Sequence, residues 1–266
     1  MEQLILQKYK EQKSCPKIAK ELGVTAKYVR EILHGQGVTF ANTNNGNTKY
    51  TKNVNFFSKP NLLNSYWAGF IAADGHLSQD NGVIISLGTK DKEHLDKFKK
   101  DIGYSGEIKF YKQKTSYTEI SEYNRISIYS KKLCTDLIRN WNVTHNKTYD
   151  IVFPTELTED NLFAYCVGYI DGDGSFNRTH GKFHSLNICG HMQFLESMRS
   201  FLCSYLVEEV SSMKIYPDHS IFKLSISRKN LLTKLRNEFM LKAKELSYMK
   251  RKWDILMEAD LSKGRI

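Results

Sequence analysis

The chain has 266 residues, a net charge of +10 and 26% charged side chains, enough for one large domain or a few small ones. The basic excess points to a polyanionic partner. Five cysteines with no Cys-x-x-Cys pair argue against a disulfide framework or a zinc site, and no apolar run reaches membrane-spanning length. No signal or transit segment is evident, so a reducing intracellular compartment, cytoplasmic or organellar, is expected, with no membrane partner.

Residues 1–58 carry nine Lys/Arg against four Asp/Glu. Within 1–35, Ile18, Ala19 and Leu22 share one helical face that Gly23 ends, and Thr25 is placed to cap a second helix burying Val29, Ile32 and Leu33. The small Ala19 lets the two helices cross closely. The pair is similar to a helix-turn-helix, whose second helix enters the major groove, which makes Thr25, Lys27, Tyr28 and Arg30 candidate readers of DNA. A helical hairpin used only for packing is the plainer alternative. Residues 36–58 are Asn-rich and contain Lys49 and Lys52; they read as an extended basic linker able to follow a groove or backbone. Phe56 and Phe57 mark its docking onto the next domain.

From residue 59 the chain repeats itself. Trp67-Ala68-Gly69-Phe70-Ile71-Ala72-Ala73-Asp74-Gly75 ends a helix over 62–73, and Cys166-Val167-Gly168-Tyr169-Ile170-Asp171-Gly172-Asp173-Gly174 ends one over 160–171. Gly69, Ile71, Asp74 and Gly75 align with Gly168, Ile170, Asp173 and Gly174. Glycine costs helix stability, so close approach of two backbones is the expected reason for it. Helices packed this way bring Asp74 and Asp173 together, and two adjacent carboxylates need a cation. With no His or Cys beside them they form a hard-oxygen site suited to Mg²⁺ and to phosphoryl transfer. A single Asp-Gly most simply ends a helix and starts a turn; two copies in matching contexts favour the site.

After Gly75 the pattern gives strands 75–80 and 83–89, a helix at 91–102, strands 106–115 and 122–130, and a helix at 131–141. After Gly174 it gives strands 174–180 and 184–190, helix 191–206, strands 209–217 and 220–227, helix 228–241, and a C-terminal helix at 245–260. The strands alternate with period two. Ile108 and Phe110 face inward in the third strand, against Lys109, Tyr111 and Gln113. Ile126 and Ile128 do so in the fourth, against Arg125 and Ser127. In the second half, Leu186, Ile188, Phe222, Leu224 and Ile226 alternate with Ser185, Asn187, Lys223 and Ser225. The polar face is either plainly solvated or a surface that reads base edges and phosphates. His180, His184, His191 and His219 show no metal-ligand spacing.

The two motifs resemble the LAGLIDADG motif of homing endonucleases, and the order of elements after each fits the same family over residues 56–260. The resemblance implies an α+β fold of two pseudo-symmetric αββαββα halves, 59–150 and 151–266, forming a saddle of antiparallel sheets beside the small all-α N-terminal unit. It implies a monomeric, metal-dependent endonuclease cutting both strands of a long asymmetric DNA site, with Asp74 and Asp173 as metal ligands, aided by the backbone at Ala73 and Gly172. Mg²⁺ is the expected metal, with Mn²⁺ or Ca²⁺ able to replace it for binding. Catalytic lysines near the end of each half are expected at Lys147 and Lys250, with Lys252 as the alternative to the latter.

DNA contacts are then expected from His76, Ser78, Lys109, Tyr111, Gln113, Arg125 and Ser127 in the first half. In the second they fall to Asn177, Thr179, Ser185, Asn187, Lys214, Lys223 and Ser225. Ala72 departs from the motif where Asp171 keeps an acid, but that position is not the principal ligand in the family. No obligate protein partner is expected. The competing readings are an RNA maturase that assists intron splicing, and a DNA-binding regulator with a nuclease-like domain.

Overall fold

The computed structural model describes residues 1–12, 14–36, 50–114, 120–145, 151–179 and 182–261. They fall into two units, Met1–Asn45 and Gly46–Ile266. In the first, helices α1 (Glu2–Gln12), α2 (Cys15–Leu22) and α3 (Ala26–Gly35) enclose a core of Ile5, Cys15, Ile18, Ala19, Val29 and Leu33. Gly23 adopts φ 65°, a conformation glycine enters without steric cost, and so permits the tight turn. Thr25 Oγ1 accepts the Tyr28 N–H at 3.2 Å, the expected cap. Ile32 is only half-buried at the edge of this core.

The second unit repeats one order of elements twice. Its first half runs α4 (Leu62–Asp74), β1 (Gly75–Leu77), β2 (Gly82–Gly88), α5 (Lys92–Asp101), β3 (Lys109–Gln113), β4 (Ser121–Tyr129) and α6 (Lys131–Trp141). Its second half runs α7 (Glu159–Asp173), β5 (Gly174–Thr179), β6 (Lys182–Gly190), α8 (Met192–Tyr205), β7 (Lys214–Asp218), β8 (Ile221–Ile226) and α9 (Lys229–Lys242). A short helix α10 (Lys250–Met257) follows. Each half holds a four-stranded antiparallel sheet, ordered β1-β2-β4-β3 and β5-β6-β8-β7. The two halves share one hydrophobic core rather than having one each, because α4 and α7 run through its middle with nearly every side chain buried. Phe56 and Phe57 dock into that core, and Phe57 meets the Trp141 ring edge-on at 5.5 Å.

Three expectations shift. β1 stops at Leu77, where Ser78 turns the chain: its N–H reaches the Gly82 carbonyl at 2.9 Å and its Oγ accepts the Gly82 N–H at 2.9 Å. Phe110 is 50% exposed rather than part of the inward face, because β3 is the edge strand and the helices cover β2 and β4. The C-terminal helix spans Lys250–Met257, not 245–260. A 3-10 turn at Ala243–Glu245 gives way to extended residues at Leu246 and Met249, drawn out by a buried carboxylate described below.

Candidate functional site

The site is built on the contact between α4 and α7. A Cβ on Gly69 would stand 1.9 Å from the Tyr165 carbonyl oxygen, and one on Gly168 would stand 1.9 Å from that of Tyr66. A Cβ on Gly172 would lie 2.3 Å from the Ala73 Cβ. These glycines let two backbones touch, and the touching ends carry Asp74 and Asp173. Gly75 and Gly174 follow at φ −82° and −89°, where any residue is at ease. Added Cβ atoms there would strike Ile71 Cγ2 at 2.7 Å and the Ile170 carbonyl oxygen at 2.3 Å. The chain passes directly from helix to strand with no intervening turn, so Asp-Gly is not a plain turn signal here.

Both aspartates end their helices, where the macrodipole is negative, and neither helix has a basic residue in its last turn. Asp74 is exposed and Asp173 half-buried. Among the described residues, Lys252 brings a positive charge to this end. Its ammonium donates to the carbonyl oxygens of Asp171 at 2.5 Å, Gly174 at 2.9 Å and Gly172 at 3.1 Å. Burial lowers its pKa, while the charges of Asp171, Asp74 and Asp173 pull the other way. The Asp173 carboxylate also acts on the buried Tyr169 hydroxyl, which burial already holds well above the phenolic range.

Asp171, 1% exposed, is the hub behind the site. It accepts from the Tyr66 hydroxyl at 2.7 Å, the Met249 N–H at 2.8 Å and the Trp253 indole N–H at 2.9 Å. Burial raises its pKa to about 6 against those three donors and the Lys252 charge. Holding the Met249 amide keeps residue 249 extended and fixes the N-terminus of α10, which delivers Lys252. A reciprocal arrangement results: the carboxylate of α7 caps α10, and a lysine of α10 caps the last carbonyls of α7. Tyr66 gives its proton to Asp171, so His94 Nε2, 3.0 Å from the same oxygen, is the donor to it. The imidazole is buried and its pKa falls to about 3, chiefly through desolvation and then the Lys97 charge. Further ties bind this C-terminal run to α5 of the first half. Arg251 grips Asp91 with two bonds of 2.5 and 2.7 Å, Ser247 donates to Asp101, and Lys97 donates to the Tyr248 carbonyl at 3.1 Å.

The structure thus brings Lys252, and not Lys250, to the aspartates. Lys250 is exposed and paired with Asp254 at 2.6 Å, one turn along α10. Lys147 and Lys49 lie outside the described residues, as does the side chain of Thr179. The Gly172 carbonyl, expected to face a metal, already accepts from Lys252. Tyr66, His94 and Trp253 were not read from the sequence as parts of a site: their partners lie far along the chain, and only the acid kept at Asp171 but lost at Ala72 hinted that the two halves differ there.

The polar positions gather as expected by register. His76, Lys109, Tyr111, Gln113, Arg125 and Ser127 fall on the face of the first sheet away from the helices. Asn177, Ser185, Asn187, Lys214, Lys223 and Ser225 do the same on the second. Among the described residues Asn187 Oδ1 is buried without a partner, and Lys223 is tied to Asp218 at 3.3 Å. Ser78 serves its turn, and Lys52 sits half-buried where residues 51–53 run beside 102–105. On α3, Lys27, Tyr28 and Arg30 are exposed, beside the capping Thr25.

No protein-family model matches the sequence, and neither does any curated protein. Solved structures do. The homing endonuclease I-WcaI bound to its DNA recognition sequence matches with a TM-score of 0.51 at 14% identity, over 72% of this chain and 84% of that one. Full-length DUF199/WhiA from Thermatoga maritima matches with 0.47 at 16% identity, over 76% of this chain; this chain spans 62% of that protein's length. I-DmoI in complex with DNA and Mn matches with 0.38 at 19% identity, over 72% and 96%. The architecture is a LAGLIDADG-like α+β fold with additional N-terminal helices. Among the described residues, no helix is long and apolar enough to cross a membrane.

Proposed function

We propose that this chain is a site-specific, divalent-metal-dependent DNA endonuclease. The observation that carries the reading is the pair of aspartates at the C-terminal ends of two helices in backbone contact, which gathers two carboxylates and two negative helix ends beside the single positive charge of Lys252. Their donor set suits Mg²⁺: two carboxylates, hard oxygens, with no third His, Cys, Asp or Glu joining them among the described residues. Asp74 and Asp173 would hold the metal, with phosphate oxygens and water completing the coordination. Such an ion, when bound, lowers the pKa of an attacking water and neutralises charge on the leaving oxygen. Lys252, whose three N–H groups go to the carbonyls of Asp171, Gly172 and Gly174, would act on the phosphate under attack through its charge. The two polar sheet faces would read duplex DNA, and their different residues suit an asymmetric target cut by a monomer.

The test is cleavage of a randomised duplex library with Mg²⁺. Wild type should cut one long asymmetric site; the Asp74→Asn/Asp173→Asn double variant should not. Lys252→Met should slow cleavage by about 10²-fold or more, whereas Lys250→Met should leave it within a few-fold. A second reading, a DNA-binding regulator that keeps the fold without cutting, is favoured by the helix-turn-helix-like N-terminal unit. Sequence-selective retention of duplex with no cuts in any divalent metal would move the weight to it. Retention of structured RNA in place of duplex would favour the maturase.

A further inference from the structure

One cation on the open face of the first sheet is prepared more fully than the rest. Tyr111 on β3 and Tyr123 on β4 are cross-strand partners whose rings stack at 5.3 Å and 13°. Arg125, two residues along β4 on the same face, holds its guanidinium carbon 5.1 Å from the Tyr111 ring centre and 5.4 Å from that of Tyr123. Its Nε donates to the hydroxyl of Ser86, its partner on β2, at 2.9 Å. Among the described residues no carboxylate pairs with it. Glu107 lines the same shallow hollow without an ion pair to Arg125.

The two tyrosine rings hold the guanidinium within cation–π distance and Ser86 anchors its Nε. The rotamer freedom of a long side chain is thereby lost on folding instead of on binding. Among the described residues no hydrogen bond or ion pair takes up the fork of two terminal nitrogens, the half of the group that makes paired parallel hydrogen bonds. β4 is an inner strand, so Arg125 sits mid-face, whereas its other partner, Lys109, stands on the edge strand. In a groove filled by a sheet, the middle of the face meets base edges and the rim meets phosphates. Two parallel donors match O6 and N7 of guanine.

We infer that Arg125 selects a guanine in the part of the target that lies against the first sheet, through its two terminal nitrogens. This rests on the DNA reading above and goes further by assigning one base to one side chain. The test is selection of a randomised duplex library by the full chain in Ca²⁺, followed by sequencing of the bound pool. Wild type should show one position where guanine exceeds every other base by about tenfold or more. Arg125→Lys keeps the charge but not the fork; it should lose the preference at that position alone, with other positions and the salt dependence unchanged. Ser86→Ala, which removes only the Nε partner, should weaken the same preference several-fold. An unchanged guanine column in Arg125→Lys overturns the inference. So does a loss spread evenly over all positions, the mark of a phosphate contact. A wild-type pool with no selected sequence overturns the DNA reading itself.

Discussion

Two buried titratable groups, His94 and Asp171, sit at the ends of one hydrogen-bonded chain through Tyr66, and their burial has opposite consequences for acid stability. His94 is held near 3 in the folded chain against 6.5 when unfolded. As pH falls below 6.5 the unfolded chain takes up a proton that the folded chain refuses, so stability is lost. Asp171 is held near 6 against 3.8. Between those values the folded chain is the one that takes the proton, so stability is gained as pH falls. From about pH 6 to 4 the two slopes oppose each other and nearly cancel. His94→Gln keeps a donor for Tyr66 and removes only the imidazole titration. The stability of this variant relative to wild type should therefore climb by up to about 1.4 kcal/mol per pH unit as pH falls from 6.5 to 4. Denaturant melts of both proteins across that range measure the difference; a difference independent of pH would mean that His94 is not held neutral.

Helix α4 and helix α7 meet backbone to backbone at Gly69 and Gly168, and Gly172 meets only the Ala73 methyl; this contact sets the distance between the aspartates. Gly168→Ala puts a methyl 1.9 Å from the Tyr66 carbonyl oxygen, backbone that cannot step aside without parting the helices. It should cost about 3 kcal/mol or more, whereas Gly88→Ala, whose methyl meets nothing within 4 Å, should stay within about 0.5 kcal/mol. Equal stabilities in urea melts would show that the helices do not touch as described. This contact was legible in the sequence because small residues recur at helical spacing in both motifs, and the alternation in β4, β6 and β8 was legible because each packs one face on helices. Phe110 was misread because period two does not say which strand lies at the edge. The choice of Lys252 over Lys250 was closed to sequence for a related reason. It depends on Asp171 holding the Met249 amide 78 residues away, which sets the start of α10 and hence which lysine of a Lys-Arg-Lys run turns inward.

Across the whole molecule, charge is shared between units with separate cores. Residues 1–45 carry seven Lys/Arg against four Asp/Glu, and their described residues have a core of their own. Removing them should leave cooperative unfolding of residues 46–266 intact. It should also leave metal-dependent cleavage intact at high protein concentration, because Asp74, Asp173 and Lys252 all stand on elements of the second unit. Binding is a different matter. Each phosphate contact contributes about 0.9 to the slope of log affinity against log salt, so the exposed Lys27 and Arg30 of α3 together set an expected loss of about two in that slope, with weaker affinity at every salt concentration. Fluorescence anisotropy of a labelled target, titrated in Ca²⁺ at several KCl concentrations, separates the two effects. A shallower slope with preserved cleavage assigns the N-terminal unit to DNA binding alone. Unchanged affinity and slope would make its helix-turn-helix a packing hairpin, and would leave specificity wholly to the two sheets.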